Sequence, residues 1–370
     1  MKKKARNILL ITLGIFTGII LYARHNFEND KQSFLELKST AGAGDIKSTI
    51  DKMEELDGYA NPIINILYYK WKNKIYSRFV TNNEVIENTS GNKIVNDISN
   101  IYRTYWNSQL LKENPETRTD SILYENVANY LISNKLTPLN KDSLLKIIKS
   151  DVELISLLEA EGYHTKFLLR NGFQDLVIWD EETTNNYTVI LPKDTIQTTV
   201  IFIENYHLNG YDGYATFGSS TIGGWAIKDS ATLYCNKTEY DLSSEEFEVS
   251  YLKHESIHFT DLNDYPNLSS ADLEYRAKVI ELMHCTKKTI YDRMSQFING
   301  ADSTNRKHSH PYANYCLIKN LSRLVFDGES EMDYKKWLEI PVESINKAAT
   351  TLYYNSEKTL LKDKNLEEII

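Results

Sequence analysis

Between Asp45 and Glu161 the apolar residues recur every three or four positions, which is the period of a helix. Asp45 is set to cap a short helix that ends before Gly58. Asn61-Pro62 reads as a capping residue with a proline at the first helical position, and Ile63, Leu67, Trp71, Ile75 and Phe79 follow on one stripe. Further periodic runs cover 94–111, 121–132 and 142–160, the last closed by Gly162. The aromatic residues among them (Tyr68, Tyr69, Trp71, Tyr102, Tyr105, Trp106) are expected in a helical core rather than on a binding platform.

The pattern changes after Gly162. Short runs rich in β-branched and aromatic residues, at 166–169, 176–179, 187–191 and 198–203, are separated by turn residues, and Asn171-Gly172 is a hairpin signal. A glycine-rich stretch from Gly210 to Gly224 precedes an expected strand pair, 225–227 with 231–235, turning at Lys228-Asp229-Ser230. From Asp241 the helical period returns and persists to about Asn355. Strands first and helices afterwards predict an α+β fold for the second half.

The N-terminus departs from both patterns. Four cations among the first six residues lead into an uncharged apolar run from Ile8 to Ala23, which reads as a signal anchor or a signal peptide. The chain is therefore expected to be exported, and held at the membrane by this segment or secreted if it is cleaved. The organisation predicted is 1–24 signal anchor or signal peptide, 25–44 linker ending in the small run Ser39 to Gly44, 45–161 helical domain, and 162–370 a second domain. The formal net charge of −9 argues against a nucleic-acid partner, which calls for a basic face. Three cysteines in 370 residues cannot form a disulfide framework.

Residues 254–258 read His254-Glu255-Ser256-Ile257-His258. Four residues along a helix advance by 400°, so both imidazoles lie on one face, a turn apart, and can reach one zinc ion. Glu255 sits beside that face, where it can hold a zinc-bound water without being a ligand. A capping box at Ser243 and Glu246 starts the expected helix, and its apolar residues run nearly all round it, so it should be buried. Two buried histidines and a glutamate need a partner, and a metal supplies one.

A third ligand is needed. A second capping signal, Ser269 to Asp272, opens a helix that can fold back antiparallel on the first. Glu274 lies in its first turn, nearest the second histidine; Glu281 is the reserve, and Asp261 a lesser alternative. Arg276 can orient Glu274 or a substrate carboxylate, or form a surface ion pair.

An HExxH followed by a glutamate on the next helix resembles the gluzincin branch of the zincin metallopeptidases, over roughly residues 198–282. The resemblance implies a zincin-like domain, with a mixed or antiparallel sheet packed on the active-site helix. It further implies zinc held by His254, His258 and Glu274, Glu255 as general base, and hydrolysis of a peptide or protein substrate by zinc-activated water. It also implies that residues 221–226 form the sheet edge along which substrate adds, and that an oxyanion donor comes from a later element, His310 first and Tyr315 second. The longer HExxHxxGxxH of metzincins is missing, since Asp261 and Asp264 stand at those positions. Two other readings remain: a catalytically degenerate zincin-like binding or assembly protein, and a non-enzymatic anchored helical protein with an accidental HExxH.

Overall fold

The computed structural model describes residues 27, 29–85, 89–114, 117–170, 172–219, 223–227, 230–326, 328 and 330–370. The expected anchor at 1–24 lies outside the described residues. Among those described, no helix is long and apolar enough to cross a membrane.

The chain is α+β and divides into two compact units. One runs to Glu181 and regains Asn205–Ile222; the other comprises Glu182–Glu204 and Gly223–Ile370. The boundary expected at 161/162 lies within the first of these units. The strands β2 (Phe173–Ile190) and β3 (Thr195–Asn209) are long enough to contribute residues to both units.

The first unit is built mainly of helices: α1 over 29–42, α2 (Ile46–Glu55), α3 (Pro62–Ile75), α4 (Lys93–Leu110), α5 (Ser121–Ser133), α6 (Lys141–Ile147) and α7 (Val152–Ala160). Asp45 accepts from Ser48 N at 3.0 Å and so caps α2. Asn61 caps α3, with Pro62 at its first position, by accepting from the amides of Ile63 and Ile64. The stripe expected from Ile63 and Leu67 turns outward instead, and Ile64, Tyr68, Trp71, Ile75 and Phe79 are buried. The flexible linker expected at 25–44 is largely helix, with Phe34, Leu37 and Ala41 in the core. Of its small residues, Ala41 and Gly44 are buried and Ser39 and Ala43 exposed. The run 142–160 is broken by Asp151, which takes a left-handed backbone (φ +60°) between α6 and α7.

Five strands pair in the order β1-β2-β3-β5-β4, with β1 (His164–Arg170), β4 (Gly224–Ile227) and β5 (Thr232–Asn236) completing the set. β1 and β2 form the hairpin expected around Gly172. β3 and β5 are parallel, whereas β4 is antiparallel to β5, so the sheet is mixed and β4 is an edge strand. The glycine-rich stretch begins with a helix, α8 (Gly210–Thr216).

The rest of the second unit is helical: a π-wound segment Glu246–Lys253 continuing directly into α9 (His254–Asp264), then α10 (Ser270–His284), α11 (Ile290–Asn299), α12 (Ser309–Val325), α13 (Tyr334–Trp337) and α14 (Val342–Leu360). Its core is continuous from Phe202 and Leu233 on the strands to Phe247, Ile257, Ile280, Leu317 and Ala349 on the helices.

Candidate metal centre

The helix that carries HExxH begins one residue later than expected. Ser244, not Ser243, accepts from Phe247 N at 3.1 Å, and the first two turns are π-wound rather than α-wound. A π-turn widens the backbone spacing locally, and the α-register resumes at His254. The segment is fixed to the strands by Tyr251 Oη donating to Tyr234 O at 2.8 Å and by a buried Thr198–Ser256 hydroxyl pair at 3.0 Å. Gly224 permits the first contact: a Cβ there would meet Tyr234 O at 2.2 Å and Tyr251 Oη at 2.8 Å.

Ser269 caps α10 as expected, accepting from Asp272 N. As numbers rise on α9, their partners fall on α10: His254 meets Glu281 and His258 meets Glu274, the mark of an antiparallel pair. The register is pinned by Arg276, which is fully buried. It grips Asp261 with two hydrogen bonds (2.6 and 2.8 Å) and reaches Glu357 at 2.9 Å and Ser356 at 2.7 Å. Arg276 therefore bonds these groups rather than Glu274 and does not lie on the surface, and Asp261 is committed to it rather than to a metal.

His254, His258 and Glu274 each present one ligand atom, and these atoms lie within 4.8 Å of one another. His254 Nε2 is 3.3 Å from Glu274 Oε2, and His258 Nε2 is 3.6 Å from Glu274 Oε1. Two donors each roughly 2.0–2.1 Å from a tetrahedral zinc stand about 3.3–3.4 Å apart, so the spacing suits such an ion. Glu281, the reserve ligand, lies on the other side of the ring, with Oε1 2.7 Å from His254 Nδ1, and is itself approached by Arg293 Nε at 3.5 Å. A carboxylate on the far nitrogen of a ligating histidine fixes its tautomer and orientation. Sequence reasoning missed this role, although the i, i+7 spacing of Glu274 and Glu281 put both on one face.

Burial and charge divide the two histidines. Burial pulls His254 down, but Glu274 and Glu281 more than reverse it and bring it to about 10. Burial and the neighbouring His254 charge push His258 down to about 3. Glu274 is held well below the usual carboxylate range, because hydrogen bonding to His254 and His310 outweighs its burial. Burial raises Glu255. Among the described residues, His258 Nδ1 is buried without a hydrogen-bond partner. Nε2 of both histidines faces the Glu274 carboxylate, so two imidazoles and one carboxylate converge as a donor set that fits a cation.

Of the two expected oxyanion donors, His310 is brought to the cluster, with Nδ1 3.0 Å from Glu274 Oε2 and its side chain 62% exposed. Tyr315 is five residues further along α12, about 140° round the helix. Its ring takes the Lys319 ammonium at 5.5 Å and packs on the core, which removes it from the site.

The chain matches no family model, no curated protein and no solved structure.

Proposed function

We propose that this chain is a zinc-dependent peptidase of the gluzincin type, with His254, His258 and Glu274 as the ligands. The observation that carries the reading is the convergence of these three donors at ligand spacing, with the partly buried Glu255 between the two histidines in sequence. Two neutral imidazoles and a carboxylate are a common catalytic zinc set, which leaves a coordination position open. When bound, zinc supplies Lewis acidity: it polarises a carbonyl and makes water a nucleophile near neutral pH.

The chain's own groups supply the rest. Glu255, whose burial favours the protonated form, takes the proton from the attacking water and delivers it to the leaving nitrogen. His310, the exposed imidazole beside Glu274, donates to the developing oxyanion. Glu281 holds His254 through Nδ1 and leaves Nε2 beside Glu274, where it would serve as a ligand. The edge strand β4 offers unpaired main-chain groups to an extended peptide, which would add as a further strand. Export and membrane attachment belong to the same proposal and rest on the sequence of residues 1–24.

Glu255→Gln keeps the size of the side chain and removes the base. The variant should bind one zinc per chain as the parent does, while cleavage of a mixed peptide library, read by mass spectrometry, falls about 10²–10⁴-fold. Zinc binding with no cleavage by the parent would leave a binding protein, and no zinc binding would leave an accidental motif.

A further inference from the structure

The helical unit holds a polar cavity of about 480 Å³ whose wall includes Arg78, Glu84, Arg103, Asn107 and Tyr214. A second hollow of about 360 Å³ shares Arg78, Glu84, Arg103 and Tyr214 with it and adds Lys74. The charges lining this space do not balance. Arg78 has its partners: Nε and Nη2 bond Glu84, Nη1 bonds Tyr214 O, and the guanidinium stacks on Tyr214 and Phe217 at 4.4 and 3.9 Å. Glu84 is thereby consumed. Arg103 is only 8% exposed, and Nη1 donates to Asn100 Oδ1 at 3.0 Å. Among the described residues it forms no ion pair.

An arginine stays protonated in proteins, and a buried cation without a counter-charge is costly. Burial and the charge of Arg78 both press against it, as its lowered pKa reflects. Arg103 lines the cavity and its adjoining hollow, and the exposed Lys74 lines the latter. The planar fork of an arginine matches the paired oxygens of a carboxylate or a phosphate. We propose that this cavity binds the oxyanion of a small ligand, a carboxylate or phosphate group, with Arg103 as the anchoring cation and Lys74 as its second positive contact. The site is separate from the proposed metal centre and does not depend on it.

The test is thermal unfolding of the full chain with inorganic phosphate and, separately, succinate, each against sodium chloride at equal ionic strength. A saturable rise in Tm is expected with at least one of the two anions and not with chloride; phosphate alone identifies a phosphoryl ligand and succinate alone a carboxylate. Arg103→Gln should abolish the saturable rise, and Lys74→Gln, at an exposed position, should weaken the apparent affinity several-fold. If Arg103→Gln does not fold, Lys74→Gln decides. A response that chloride reproduces, no saturable response to either anion, or a response unchanged in the folded variants would overturn the proposal.

Discussion

His254 and His258 stand one turn apart on α9, and their surroundings drive them in opposite directions. Burial acts against the charge of both, yet Glu274 and Glu281 flank His254, whereas His258 has Glu274 alone at 3.6 Å and a charged neighbour. Glu281 is thus as much a part of the cluster as the ligands themselves. Glu281→Gln keeps a hydrogen bond to Nδ1 but removes the charge that makes His254 basic. Zinc affinity, measured by competition with a chelator, should fall about 10–100-fold, whereas Glu255→Gln should leave it unchanged. Equal affinities for Glu281→Gln and the parent would reduce Glu281 to packing. At this scale the sequence was most legible where the chemistry is local: HExxH fixes two donors through helix geometry alone, and Ser269 announces the helix that carries Glu274. It was least legible where a partner comes from afar. Nothing near Arg276 in sequence foretells Glu357, and the helical offset of Tyr315 turns it away from the cluster that His310 reaches.

The relevant elements are α9 and α10, and the buried Arg276–Asp261–Glu357 network sets their register. Truncating one member of a buried ionic network is more damaging than never having had it, because the remaining charges stay desolvated. Arg276→Met preserves much of the apolar volume and strands two carboxylates. It should cost about 3–5 kcal/mol in chemical denaturation, with zinc affinity falling in parallel as Glu274 loses its alignment with the histidines. A denaturation midpoint within error of the parent would mean that apolar packing alone holds the helix pair. The elements themselves were only partly foreseen. Periodicity found the helices, but it cannot distinguish α-winding from π-winding in 246–253, because both bury apolar residues at similar intervals. The polar run from Glu181 to Asn186 reads as a turn, yet it is the exposed middle of the long β2, where extended backbone rather than side-chain pattern carries the strand. The small residues of 39–44 read as flexible for a comparable reason, since a composition that suits a linker also suits a helix end.

For the whole molecule, the two histidines make the metal-free and metal-loaded chains respond to pH differently. His254 is raised above its ordinary 6.5 to about 10, so its contribution to the metal-free fold is fully present below about pH 6.5 and is lost as the pH climbs through 10. His258 is lowered to about 3, so its contribution is present above about pH 6.5 and is lost as the pH falls through 3. The metal-free fold should therefore be at its best near the middle of this range. Zinc requires both imidazoles neutral, and between about pH 5 and 9 only His254 has a proton to surrender. Binding should release close to one proton per zinc, measured by calorimetry in buffers of different ionisation heat, and affinity should rise about tenfold per pH unit. By mass action, the stability that a fixed excess of zinc adds then grows by about 1.4 kcal/mol for each unit, and a chelator removes it. The absence of any zinc effect on Tm between pH 6.5 and 8.5 would mean that His254 keeps its proton, and an imidazolium flanked by two carboxylates is an ion-pair cluster and not a metal ligand.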